Sequence, residues 1–409
     1  MVSKYTVSIN ESKMANPAAP STVNAAEVQT ARHLRVMHVY RTYFPDPPGG
    51  LQEAIRQICL ATSAFGVDAK VFTLSPRPNP KKISAAEAGV VRSRSWAAPA
   101  SCDLGGVDAV MQFRALSNWA DVIHYHFPWP FADVLRLLVA RDKPSVMTYH
   151  SDIVRQRFLA RICGPLLRNT LKGMAAVVAT SPAYAATSEM LTENITTQNL
   201  RTIPLGIVDY TCGLMEDRIG NDILARLSLG VKPFVLALGV LRYYKGLHTL
   251  IEAANAIDGM VVIAGSGPEE LALKSQAARL GCLNIVFAGQ VSKAEKITLL
   301  RHCRAMVLPS HLRSEAFGMV LVESSMFGKP MVCCEVGSGT SFVNSHGETG
   351  FVVPPESPQE LAKACNILLH DQICAARMGV AARTRYEQLF SGKALGSAYA
   401  DLYNEVVAR

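Results

Sequence analysis

The sequence predicts an α/β protein of two Rossmann-like, doubly wound parallel-sheet domains facing each other across a cleft. Three observations carry this expectation. Short apolar runs alternate with amphipathic helical stretches along both halves of the chain. Each half also opens the same way, with a strand, a glycine-containing loop, a helix and a second strand. Finally, 409 residues exceed what one ordinary core encloses.

In the first half, Leu34 to Tyr40 is the opening strand, and Phe44-Pro45-Asp46-Pro47-Pro48-Gly49-Gly50 is its loop. A helix from about Leu51 to Phe65 closes at Gly66 before the strand Val67 to Leu74. Gly49 and Gly50 let a diphosphate approach the backbone with no Cβ in the way, although paired glycines after a strand also serve as a plain turn. Pro76 to Lys82 reads as an exposed loop. Asp121 to His126 is a strand, followed by the stiff aromatic loop Phe127-Pro128-Trp129-Pro130-Phe131. That loop either lines an acceptor cleft or packs Trp129 on the helix Ala132 to Ala140; both readings stand. His124 and His126 share a strand face with no third ligand evident, so a metal is not expected there. Pro144 to Asp152 is a strand that hands over to a loop at His150, where α/β proteins present reactive side chains. Ile153 to Gly173 is helical, with Arg155, Arg157, Arg161, Arg168 and Lys172 among apolar residues. It either lies on an anionic bilayer or packs on its own domain. Ala175 to Thr180 is a strand, and Arg201 to Gly206 closes the half.

The second half repeats the pattern. Phe234 to Gly239 is a strand, Val240 to Gly246 a cationic loop, Leu247 to Ile257 a helix and Met260 to Gly265 a strand. Arg242 and Lys245 sit at a turn where their charges would meet phosphate oxygens. The strand and turn Ile285 to Ser292 and the helix Lys293 to Cys303 follow. Ala305 to Ser310 is a buried strand leading into Ser314-Glu315-Ala316-Phe317-Gly318-Met319-Val320-Leu321-Val322-Glu323. Glu315 therefore belongs to a strand-to-helix loop and Glu323 to the helix body, which Gly328-Lys329-Pro330 ends. Carboxylates accept hydrogen bonds from sugar hydroxyls, and free amides at a helix start face anionic oxygens. From Glu360 onward the chain reads as helical, with Phe390 and Tyr399 on packing faces.

Composition narrows the function. The chain is 49% hydrophobic and 18% charged, as globular proteins are, and no apolar run reaches the roughly 18 to 20 residues of a membrane span. Residues 1–33 read as a polar disordered leader without the apolar centre of a signal peptide, so a cytoplasmic location is expected. Ten cysteines at irregular spacings, with no C-x-x-C pair, read as buried thiols. Residues 1–206 carry 22 Lys and Arg against 14 Asp and Glu, and residues 207–409 carry 19 of each. All the excess basicity lies in the first half, which suits an anionic membrane surface or a phosphate-bearing acceptor. Nucleic acid is not expected as a partner, because the basic residues are not interleaved with exposed aromatics.

Several motifs occur in one order: Gly49-Gly50, Tyr149-His150-Ser151-Asp152, Lys245-Gly246, Gly265-x-Gly267-Pro268, Gly289-x-Val291-Ser292, Glu315-x7-Glu323, Gly328-Lys329-Pro330 and Gly347-x-x-Gly350-Phe351-Val352-Val353-Pro354-Pro355. In this order they resemble the family-four retaining glycosyltransferases of the GT-B fold, over residues 34–409, and within them the bacterial surface-polysaccharide branch. The resemblance implies an acceptor domain at 34–206, a nucleotide-sugar donor domain at 207–389, and a last helix, about 390–409, packing back on the first domain. It implies Glu323 at the donor ribose and Glu315 at the donor sugar, with Phe317, Gly318, Met319 and Val320 beside them. Lys245 and Arg242 would clamp the diphosphate, Gly49 and Gly50 would face it across the cleft, and His150 would contact the transferred sugar. Gly265 and the turn Gly289-x-Val291-Ser292 would hold the nucleotide. Many relatives carry the clamp arginine five positions before the lysine, where this chain has Val240, so Arg242 is a departure from the pattern.

The expected activity is therefore retaining hexosyl transfer, with mannose from GDP-mannose as the donor, onto a lipid-linked or polysaccharide acceptor at the cytoplasmic membrane face. No Asp-x-Asp metal clamp is present, so no cofactor and no divalent metal are expected. Two alternatives remain: a nucleotide-sugar epimerase of the same fold, or a catalytically silent nucleotide-sugar-binding protein.

Overall fold

The computed structural model describes residues 33–46, 49–99, 102–152, 157–211, 218–230 and 232–409, with backbone alone at 157–163 and 218–221. The expected leader lies outside the described residues except for His33, as do Pro47, Pro48 and the start of the basic helix, Ile153 to Gln156.

The first half runs β1 (Leu34–Val39), α1 (Gly50–Ser63), β2 (Val67–Ser75), β3 (Lys82–Ser84), β4 (Gly89–Ala97), β5 (Leu104–Gly105), α2 (Val107–Trp119) and β6 (Val122–Phe127). It continues through α3 (Pro130–Val139), β7 (Ser145–Tyr149), α4 (Arg157–Lys172), β8 (Ala176–Ala179), α5 (Pro182–Thr187), α6 (Glu189–Asn194) and β9 (Leu200–Thr202). These strands form one sheet in the order β3-β4-β2-β1-β6-β7-β8-β9, with β5 on β4, antiparallel only where β3 and β5 meet β4. All six residues of β6 are buried, as befits a central parallel strand covered on both faces.

The second half runs α7 (Arg218–Arg226), β10 (Phe234–Leu238), α8 (Leu247–Ala254), β11 (Met260–Ala264), α9 (Glu270–Arg279), β12 (Ile285–Gly289), α10 (Lys293–His302) and β13 (Ala305–Leu308). Then come α11 (Met319–Met326), β14 (Met331–Cys334), α12 (Thr340–Val343), β15 (Gly350–Val353), α13 (Pro358–His370), α14 (Gln372–Arg385) and α15 (Gly392–Ala408). Its sheet is wholly parallel, in the order β12-β11-β10-β13-β14-β15. Local sequence sets several helix starts. Ser292 and Glu295 form a reciprocal capping box on α10, while Ser181, Asp371 and Ser391 cap α5, α14 and α15.

In each sheet the chain fills one side, then returns to fill the other. Strand order reverses between β1 and β6, and again between β10 and β13. The loops leaving those strand pairs diverge and open a crevice, the usual ligand position in such sheets. Helix α15 lies on α1, where Leu395, Tyr399, Tyr403 and Val406 share a core with Leu34, Val36, Ile58 and Ala61. The path back is stitched to the outgoing strand: Ile207 N donates to Phe390 O at 2.9 Å, and Tyr386 Oη donates to Ile207 O at 2.8 Å.

Several expectations change. Lys82 opens β3 instead of ending a loop. The helix after the aromatic loop starts at Pro130, and Trp129 is core: it is 2% exposed, rests near Phe72, and donates Nε1–H to Asp103 O at 2.9 Å. The C-terminal helical stretch is interrupted at Asp371 and Ser391. The eight described cysteines are all free thiols, six of them buried.

Candidate active site

At the reversal point of the second sheet, Lys245 follows β10 in a tight helical turn, and Glu315 stands in the loop after β13. Gly246 permits this approach. Its φ is +64°, and a Cβ there would lie 2.0 Å from Pro309 O. Lys245 Nζ and Glu315 Oε2 are 2.8 Å apart, each side chain 12% exposed. Burial pulls the Lys245 ammonium down, but Glu315 and Tyr244 beside it outweigh that and hold it above its ordinary pKa. The recess behind the pair is lined by Gly239, Lys245, Leu308 and Pro309, among others.

Glu323, on α11, accepts hydrogen bonds from Lys296 Nζ and from Tyr210 Oη, the latter at 3.2 Å. Burial, with Glu323 next to it, pushes the Tyr210 phenol up, so Tyr210 is the donor of that bond. Gly318 precedes α11 at φ +86° with no side-chain cap, so among the described residues no side chain claims the first amides of the helix at Met319 and Val320. Phe317 is buried beneath them.

The first sheet carries the remaining expected residues. Gly49 precedes α1 in extended conformation, and a Cβ at Gly50 would meet nothing within 4 Å. His150 follows β7, 7% exposed, and burial lowers its pKa to about 3. The two halves touch next to Glu315. Ala316 packs on the core of the first half, and Arg313 reaches Thr187 Oγ1 at 3.0 Å and Asp152 Oδ2 at 3.6 Å, with its guanidinium over Tyr184.

Residues 48–209 match the family model described as Glycosyltransferase Family 4, and residues 225–385 the one described as Glycosyl transferases group 1. Over 363 residues, 88% of this chain and 92% of the relative, the sequence is 43% identical to the D-rhamnosyltransferase WbpZ of Pseudomonas aeruginosa. The chain belongs to the family 4 glycosyltransferases. A second relative, the O-antigen chain mannosyltransferase C of Escherichia coli, is 36% identical over 91% of this chain and 99% of its own length. Among solved structures, the sucrose-phosphate synthase of Thermosynechococcus elongatus superposes with a TM-score of 0.75 at 22% identity, covering 92% of this chain and 99% of its own. Anabaena HepE in complex with UDP and glucose gives 0.73 at 19% identity, covering 91% and 100%. These likenesses fix the GT-B fold of the glycosyltransferase.

The other expected donor residues of this glycosyltransferase are dispersed around the second sheet. Gly265 follows β11 and Gly289 ends the neighbouring β12, and Gly265 N donates to Gly289 O at 2.7 Å. Val291 packs on the core, and the Ser292 hydroxyl is occupied in capping α10. Arg242 is exposed and lines a different recess from Lys245, together with Tyr243, His248, Glu269 and Gln276. Its charge still bears on Lys245, lowering its pKa.

Four residues escaped the sequence reading. Lys296 and Tyr210 hold Glu323, Arg313 ties the halves together, and His38 stands beside His124 and His126. The last corrects the expectation that no third ligand stands beside the histidine pair. His38, His124 and His126 offer ligand atoms within 4.8 Å of one another, as do His248, His311 and Glu356. In the buried trio, however, both ring nitrogens of His124 and of His126 are already engaged in hydrogen bonds. No spacing in the sequence announces these contacts, because each joins elements that only the folded sheets bring together.

Proposed function

We propose that this glycosyltransferase transfers a hexose, mannose from GDP-mannose, to a lipid-linked or polysaccharide acceptor with retention, giving an α-glycoside without a divalent metal. The carrying observation is the Lys245–Glu315 pair at the reversal point of the second sheet. A diphosphate placed there would find an ammonium already held charged, and charge developing on the leaving nucleotide would be stabilised by it. The uncapped start of α11 adds amide donors. Glu315 and Glu323 are acceptors for hydroxyls of the sugar and ribose, and His150 meets the sugar from the opposite wall. With both glutamates gripping the donor, the leaving diphosphate is the base that takes the acceptor's proton on the face it departs from. Lys245 thereby fills the role a metal has elsewhere.

Two relatives, named for D-rhamnosyl and mannosyl transfer, support a manno-configured donor and a polysaccharide acceptor. Among the described residues no helix is long and apolar enough to cross a membrane. Peripheral contact is supported by the exposed Trp96, Val107 and Met111, with Arg94 stacked on Trp96.

The test is a thermal-shift screen of GDP-, UDP- and ADP-sugars, since a ligand that binds only the folded state raises its Tm. The expected result is stabilisation by GDP-mannose, followed by GDP release only when acceptor is added. Stabilisation by UDP-sugars alone overturns the donor assignment. Epimerised donor without acceptor makes the protein an isomerase, and binding without turnover makes it a sensor.

A further inference from the structure

We propose that His38 and His126 are positioning residues that fix His150 in the tautomer carrying its proton on Nδ1. The inference rests on the reading of His150 as the residue at the donor sugar.

The geometry begins in the sheet. β1, β6 and β7 are adjacent and parallel, with His38 opposite His124 and His126 opposite Thr148. A period of two keeps residues two apart on one face. His126 is therefore one diagonal step from His38, and His150 one diagonal step from His126. The three rings form a ladder: His38 Nδ1 lies 3.0 Å from His126 Nε2, and His126 Nδ1 lies 3.0 Å from His150 Nε2. Successive rings are 5.3 Å apart, inclined by 19° and 28°. His124 stands outside the ladder. Its nitrogens are held by Tyr403 Oη of α15 and by Thr148 Oγ1, both at 2.7 Å.

Burial keeps all three ladder rings neutral. It lowers His38 and His150 to about 3 and His126 well below its ordinary value. A neutral imidazole carries one N–H and one lone pair. Two hydrogen bonds in series then admit only two proton orders. In one, all three protons sit on Nδ1, and His150 offers an N–H to the site. In the other, all three sit on Nε2, and the His38 proton falls on a nitrogen that is buried with no partner among the described residues. A buried N–H without a partner carries its full desolvation cost, and an unused acceptor is better tolerated. The first order is therefore selected. His150 Nδ1, which has no hydrogen-bond partner among the described residues, becomes a fixed donor to a sugar oxygen.

The test is nitrogen-15 NMR of histidine-labelled full-length protein, which distinguishes protonated from bare Nδ1 and Nε2, combined with donor kinetics. In the wild type, His150 is expected as the Nδ1–H tautomer; an Nε2–H signal overturns the proposal. His38→Met puts at the end of the ladder a thioether that accepts but cannot donate, so His126 should turn an Nε2–H toward it and His150 should then populate Nε2–H, with kcat lower by about 10- to 100-fold, as for outer partners of other site histidines. His38→Asn, whose amide can donate from near the position of Nδ1, should restore both tautomer and rate. A His150 that keeps the Nδ1–H tautomer in His38→Met overturns the proposal, and the wild-type spectrum decides it even where that variant fails to fold. Normal transfer by His150→Ala would instead refute the parent reading, leaving the tautomer result intact.

Discussion

At the residue scale the proposed chemistry centres on the ion pair of Lys245 and Glu315. The pair is nearly withdrawn from water, so each charge depends on the other until a ligand arrives. Lys245→Ala or Glu315→Ala should lower kcat by about 100- to 1,000-fold, as loss of a charge-stabilising donor does elsewhere. The check is single-turnover transfer alongside far-UV circular dichroism; near-normal rates in a folded variant would sink the site assignment. On the proposed reading Lys245 supplies the positive charge at the diphosphate, so enzyme treated with a chelator should retain its rate. Strict restoration by Mn²⁺ or Mg²⁺ would send the phosphate-binding role to a metal. Both side chains were legible in the sequence, since a strand-to-helix turn with a lysine or a glutamate has a recognisable local form. Lys296 and Arg313 were not, because a basic residue on a helix or loop looks the same whether it faces solvent or a carboxylate from another element.

Elements impose a second level of constraint, best seen in β1, β6 and β7. Their buried histidines make the first sheet sensitive to acid. The folded pKa of His38 and His150 is about 3, against 6.5 for an exposed ring. Below pH 6.5 the unfolded chain takes up protons that the folded one refuses, so stability is full above that value and is lost as pH falls. Each such histidine should remove about 1.4 kcal/mol per pH unit over that window. Urea midpoints measured from pH 7.5 to 5 should fall accordingly, and a flat profile would contradict the neutral buried ladder. Helix α15 is tied to the same strands through Tyr403 on His124 and Tyr399 on Thr148, at 2.7 and 2.8 Å. Tyr403→Phe leaves a buried ring nitrogen unpaired and should cost about 1 to 3 kcal/mol, read as a lower midpoint at constant m-value. The strands themselves were clear as apolar runs. The edge region β3 to β5 was not, because its exposed residues blur the pattern: β4 ends in Ser95, Trp96 and Ala97, none of them buried.

At the scale of the whole molecule, the second half meets the first in a contact beside Glu315. Arg313 bridges to Thr187 and Asp152, and Ala316 touches the facing core, both adjacent to Glu315. On the proposed donor site, closing the cleft and seating the donor would be mechanically linked. Arg313→Ala should speed dissociation of the nucleotide sugar severalfold and raise hydrogen exchange over residues 311–317 and 184–187. Unchanged exchange and off-rate in that variant would remove the bridge from the catalytic cycle.

The sequence alone determined the two parallel α/β halves, the turns at Gly246 and Gly318, and the placement of Glu315 in a loop and Glu323 in a helix. Periodicity, turn chemistry and capping are local, so they can be read along the chain. Only the tertiary structure decided which charges are paired, where Trp129 goes, and that His38, His126 and His150 form one ladder. Those contacts depend on strand order and register, which bring together residues 88 and 24 positions apart.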